Sequence, residues 1–146
     1  EMAELEPADA VLIVGAAGGY STAVIAKIAR SVVALEDDSE LADLATARLA
    51  PLADKNISVV RGALPAGAAD KAPFDAIIIE GAVSEVPENL LDQLKDRGRL
   101  VAILESDTGA KATVWRRIGA GFDRTSGFDA LAPCLPGFEK KRGFVF

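Results

Sequence analysis

Val11-Leu-Ile-Val-Gly-Ala-Ala-Gly-Gly-Tyr-Ser21, followed after a helical stretch by Val32-Val-Ala-Leu-Glu36, decides the fold. An unbroken apolar run that ends in glycines suits a strand buried on both faces. Gly15, Ala16, Ala17, Gly18 and Gly19 then form a turn whose backbone can approach a ligand closely. Glu36 lies 21 residues after Gly15, at the end of the second apolar run. That is where an acid gripping ribose hydroxyls is expected in a nucleotide-type cofactor site. A glycine cluster alone is a weak signal, because such turns also arise for plain geometric reasons. Glu36 is what tips the reading toward a ligand.

Working outward, the pattern keeps alternating. Ser21 or Thr22 is expected to cap a helix running through Arg30, with Val24, Ile25 and Ile28 on one stripe. Asp37 with Glu40 resembles a capping box, and Leu41, Leu44, Ala45, Leu49 and Leu52 continue a helical stripe. Further strands are expected at 57–60, 74–79 and 99–104. A helix opened by Pro87, carrying Leu90, Leu91 and Leu94, is stopped by Gly98. Strands alternating with helices imply an α/β, mostly parallel sheet with right-handed crossovers and helices on both faces. From Lys111 the pattern changes to short β-type runs at 112–118, 122–128 and 143–146, read as antiparallel C-terminal edge strands.

The totals remove many function classes. The 146 residues make one domain, and half of them are apolar. A net charge of −6 argues against a nucleic-acid partner. No apolar run reaches the roughly 18 residues of a membrane span, so no membrane partner is expected. The chain opens acidic where a signal peptide would be basic, and its single cysteine, Cys134, suits a reducing compartment; a cytoplasmic protein is expected. There is no histidine, which excludes a Ser-His-Asp triad and any His-ligated metal, and one cysteine cannot make a thiolate zinc site. No metal is expected. Arg116-Arg117 and Lys140-Lys-Arg142 read as solvated surface, Trp115 as packing, and Cys134 as an unactivated thiol.

Several segments in register carry a family likeness: 11–15 through 19–24, then 33–36, 72–79, 81–83 with 86–94, 98–101, and the tail from Phe128 through Leu135-Pro-Gly-Phe138 to Phe146. Together they resemble the S-adenosylmethionine-dependent methyltransferases, and within them the protein-L-isoaspartate O-methyltransferases. The resemblance implies a Rossmann-like methyltransferase fold and S-adenosylmethionine as cofactor. It implies methyl transfer to an isoaspartyl carboxylate of a protein or peptide substrate. The cofactor-binding positions it implies are Gly15, Ala16, Ala17, Gly18, Gly19, Glu36, Asp37, Gly62, Ala63, Leu64 and Glu80. A carboxylate with a pKa near ~4 is already ionised at neutral pH and needs placement rather than a general base, so no catalytic residue is named.

Three positions depart from the family pattern. Ile13 stands where an acidic residue serves the methionine end of the cofactor. Ala17 stands where glycine is usual, and Ala63 where aspartate contacts the adenine. Only about ten residues precede Val11, where the family carries a substrate loop and cofactor-covering helices. The chain is therefore expected either to be a fragment or to lack that cover. Two other readings stay open: a methyltransferase fold that only binds, motivated by those three departures, and an NAD(P)-binding domain, motivated by the glycine turn and Glu36. Short-chain dehydrogenase chemistry needs a tyrosine and a lysine four apart downstream, and the only tyrosine is Tyr20.

Overall fold

A computed structural model of the chain describes residues 3–139, of which 53–55 by backbone alone. The strand expected at 143–146 and the basic cluster at 140–142 lie outside the described residues.

The strands are β1 (Ala10–Val14), β2 (Ser31–Glu36), β3 (Ile57–Arg61), β4 (Phe74–Val83), β5 (Leu94–Ser106), β6 (Gly109–Ile118) and β7 (Gly121–Asp129). They form one sheet in the order β3-β2-β1-β4-β5-β6-β7. The first five run parallel, and β6 and β7 add antiparallel at the edge. The helices are α1 (Tyr20–Ala26), α2 (Ser39–Leu49) and α3 (Glu88–Leu91).

The central strands alternate between two cores, as strands covered on both faces must. Leu12, Val14, Val33, Leu35, Ile77 and Ile79 join the cluster that also holds Leu90, Leu94, Trp115 and Phe138. Val11, Ile13, Val32, Ala34 and Ala76 join the opposite cluster, with Ile25 and Ala26 of α1. The edge strand β7 is exposed almost throughout and carries Asp123, Arg124 and Asp129, charges that discourage pairing with a further strand.

Several local expectations are corrected. Gly19, not Ser21 or Thr22, is the N-cap of α1, and no side chain caps it. Thr22, Ile25, Ala26 and Ala29 face the sheet, while Val24 and Ile28 are exposed. Small residues win the buried face because they let the helix sit close to the strands. The same holds for α2, where Ala42, Ala45 and Leu49 are buried and Leu41 and Leu44 are not. Its N-cap is Asp38, whose side chain accepts from the Glu40 and Leu41 amides, so Asp37 and Glu40 form no capping box. The helix after Pro87 is a single turn, and Leu94 already belongs to β5. Gly98 does not stop a helix but sits inside that strand, where an added Cβ would lie 2.8 Å from the Lys95 carbonyl oxygen.

Candidate functional site

The carboxyl ends of β1, β2 and β4 converge on the glycine turn, where open α/β sheets bind ligands. The turn is tied to β2 by backbone: the Gly15 and Ala16 amides both donate to the Leu35 carbonyl, at 2.9 and 3.1 Å. Gly15, Ala17 and Gly19 hold φ of +82°, +48° and +88°. For Ala17 this left-handed conformation costs roughly 1–2 kcal/mol, so the backbone still asks for glycine there.

Glu36 ends β2 and is only 4 % exposed as a residue. Oε1 accepts the Ala17 amide at 2.9 Å; Oε2 accepts the Asp37 and Asp38 amides at 2.8 and 3.2 Å. One acid thus fixes both the glycine turn and the entrance to α2. A carboxylate offers about four acceptor positions, so one remains on Oε1 for a donor from outside.

The other anticipated positions divide. Gly15 faces the crevice between strand ends. Gly18 and Gly19 face the other way, onto α2: an added Cβ would meet Arg48 at 2.7 Å and Leu49 at 3.2 Å respectively. Asp37 is exposed beside Glu36. The Gly62 amide donates to the Glu36 carbonyl at 3.2 Å, which brings the third strand's end alongside. Gly62 and Ala63 are exposed, and Ala63 caps the 3-10 turn Leu64–Ala66. The Leu64 side chain is core, 1 % exposed, so only its backbone is available to a ligand. Glu80 is exposed on β4. Residues 81–83 continue β4 past the expected end at Ile79, through a register shift between Ile78 and Ala82. Ile13 is fully buried in the apolar core on the α1 side, beneath the turn.

Sequence reasoning missed what covers the crevice. The segment 133–138 lies along β4: the Ala82 amide donates to the Pro133 carbonyl, the Leu135 amide to the Ala82 carbonyl, and the Ser84 amide to the Phe138 carbonyl, at 3.0, 3.0 and 3.1 Å. The prolines and Gly137 marked this stretch as irregular, but nothing in them told where it would dock. Beyond it opens a cleft of about 850 Å³ bordered by Ser84, Glu85, Glu105, Asp107, Phe138 and Glu139. Burial, and then Glu105 and Glu139, push the Cys134 thiol up, so it is not an activated thiolate. Among the described residues no cluster of His, Cys, Asp and Glu could hold a metal ion, and no helix is long and apolar enough to cross a membrane.

Comparison with known proteins gives a consistent result. A family model described as Protein-L-isoaspartate(D-aspartate) O-methyltransferase matches residues 1–124. The chain is 39% identical over 125 residues to a protein-L-isoaspartate O-methyltransferase of Koribacter versatilis, covering 86% of this chain and 56% of that protein. It is 42% identical over 141 residues to one from Methylorubrum extorquens, covering 94% and 60%. The chain therefore spans little more than half the length of these relatives. A solved protein-L-isoaspartate O-methyltransferase superposes with a TM-score of 0.86 at 22% identity, over 93% of this chain and 44% of that one. A Plasmodium falciparum structure, described as a beta-aspartate methyltransferase in complex with S-adenosyl-L-homocysteine, superposes with a TM-score of 0.74 at 21% identity, over 89% and 66%. These two likenesses speak to the fold alone.

Proposed function

The chain belongs to the protein-L-isoaspartate O-methyltransferase family, and from that premise we propose that it forms the cofactor-binding part of an S-adenosylmethionine-dependent enzyme that methylates isoaspartyl carboxylates in protein or peptide substrates. The observation that carries this reading is Glu36: buried at the end of β2, fixed by three amides, with one acceptor position left beside the Gly15 turn. That chemistry fits a sugar hydroxyl. The exposed Gly62 and Ala63 border the same end of the sheet and would flank the adenine, and Asp37 and Glu80 lie at its margins. The single cysteine suits a reducing compartment such as the cytoplasm.

When bound, the cofactor supplies an electrophilic methyl group on a sulfonium. The chain's own work is positional. The acceptor carboxylate needs no deprotonation at neutral pH, so placement accounts for the rate. The turn at Gly15 to Ala17 gives close backbone approach, and Glu36 anchors the sugar. Ala63 cannot accept from an adenine amino group, which costs the site roughly 0.5–3 kcal/mol relative to a polar partner.

Two measurements on the longest natural chain test this. Isothermal titration with S-adenosylhomocysteine should give heat, and an isoaspartyl peptide should gain a base-labile methyl ester that its aspartyl counterpart does not. Absence of heat up to millimolar ligand overturns the reading. Heat without methyl ester would leave a binding module, the reading that Ala63 favours.

A further inference from the structure

We propose that Leu135 is a plug supplied by the chain itself: it occupies the crevice between the ends of β1 and β4, and a ligand reaches Gly15 only when the 133–138 strap lifts. The ligand's identity rests on the S-adenosyl reading above; the plug itself rests on packing.

Gly15 follows β1 directly, and Gly81 lies near the end of β4, its hydrogen-bonded neighbour. Neither has a side chain, so the two leave a hollow between adjacent strand ends. The Leu135 isobutyl group fills it. A Cβ added to Gly15 would lie 3.0 Å from Leu135 Cδ1, and one added to Gly81 would lie 2.6 Å from Leu135 Cγ. The close approach that a glycine turn offers a ligand is therefore already taken by an apolar side chain. A ligand and Leu135 cannot both contact Gly15.

The strap is built so that this side chain can leave. Leu135 is half-buried, whereas Phe138 is 3 % exposed and locked into the core. Gly137 packs on Pro65 of the turn after β3, and the Phe138 amide donates to the Leu135 carbonyl at 3.1 Å. Breaking the two backbone bonds that Ala82 makes with Pro133 and Leu135 releases the plug while Phe138 and its bond to Ser84 stay anchored. Any fraction of time the plug is seated lowers apparent ligand affinity by that fraction.

Cys134, the chain's single cysteine, adjoins Leu135 and is half-buried, so its rate of reaction with a disulfide reagent reports the strap. In the full chain, S-adenosylhomocysteine should accelerate Cys134 labelling. Leu135→Ala should label faster without ligand and bind S-adenosylhomocysteine about tenfold tighter. Gly81→Ala, whose methyl group would meet Leu135 Cγ at 2.6 Å and the Pro133 carbonyl oxygen at 3.1 Å, should reproduce the faster ligand-free labelling with the strap's own sequence unchanged. Slower labelling with ligand, or weaker binding by Leu135→Ala, would mean that Leu135 is a wall of the occupied site, and the plug is overturned. No heat from any of the three proteins overturns the S-adenosyl reading instead. Ligand-free labelling of Gly81→Ala then still decides the plug, because an unchanged rate would show that Leu135 was never seated there.

Discussion

The two ends of the sheet solve the same problem, holding neighbouring strands together beyond the ladder, in opposite ways. At the amino end Arg99 is 8 % exposed and all three nitrogens of its guanidinium donate. Nη2 donates to Asp9 Oδ2 and to the Glu4 carbonyl, both at 2.7 Å; Nη1 donates to the Asp75 carbonyl at 3.2 Å; Nε donates to the Ala3 carbonyl. Asp75 Oδ2 in turn accepts the Ala10 amide at 2.8 Å and Lys95 at 3.1 Å. This end sews the segment before β1 to β4 and β5. At the carboxyl end one buried acid keeps an acceptor position open, and the hollow between strands is filled by an apolar leucine side chain whose backbone is tied to Ala82. A polar network closed on the chain's own groups fixes architecture. One that keeps an acceptor facing the strand ends, capped by an exchangeable apolar group, leaves room for a ligand.

The largest effect should come from breaking the amino end. Arg99→Leu strands a buried Asp9 carboxylate and three carbonyls, so denaturant unfolding should show a loss of about 3–5 kcal/mol. Adding Asp9→Leu should restore only part of it, because the carbonyls of Ala3, Glu4 and Asp75 remain unpaired. Full recovery in the double variant would mean that the ion pair, not the carbonyl cap, carries this end.

The carboxyl end should respond less in stability and more in binding. Glu36→Gln turns one oxygen that accepts amides into an N–H that opposes them. Chemical denaturation should register about 1–3 kcal/mol lost, and S-adenosylhomocysteine affinity should fall with it. A variant as stable as the parent would show that the turn does not depend on this acid.

How far the sequence disclosed these two ends follows from what each is made of. The sheet was legible because β1, β2 and β4 are apolar on both faces, and position in such a run needs no knowledge of neighbours. Glu36 was legible because its place at a strand end is local. The orientation of α1 was misread, since hydropathy favours Val24 and Ile28 whereas close packing favours Thr22, Ala26 and Ala29. Leu135 and Gly15 are 120 residues apart, and Arg99 and Asp9 are 90 apart. Contacts at that distance leave no periodic trace in a single chain, and an arginine near a strand start reads as surface.

Two substitutions sharpen the contrast on the open side. Ala63→Asp returns an acceptor beside the exposed end of β3. It should tighten S-adenosylhomocysteine about tenfold, near 1.4 kcal/mol, with stability changed by less than about 0.5 kcal/mol because the position is solvated. Titration of both proteins decides it; unchanged affinity would place the adenine elsewhere. Ala17→Gly relieves the positive φ of +48°. The roughly 1–2 kcal/mol strain recovered is offset by about 0.5–1 kcal/mol of glycine's added chain entropy, so stability measured by thermal unfolding should rise by no more than about 1.5 kcal/mol.

The smallest effect lies in acid titration of the amino end. Partial burial raises the Asp75 pKa, but the Ala10 amide, the Lys95 hydrogen bond and the Lys95 and Arg99 charges outweigh it, and the net shift is downward from 3.8. A carboxyl depressed in the folded state contributes stability that is fully present above its unfolded value and is lost as pH falls through the folded one. Asp75→Asn should therefore be less stable than the parent at pH 5–7, with the gap closing below about pH 4. Lys95 is 38 % exposed, so solvent screens the pair and the gap stays smaller than that of Arg99→Leu. Urea melts of both proteins at pH 3 and pH 6 measure it. If the gap persists undiminished at pH 3, the Ala10 amide is choosing between oxygen and amide at residue 75 by geometry, and charge has no part in how β1 is held to β4.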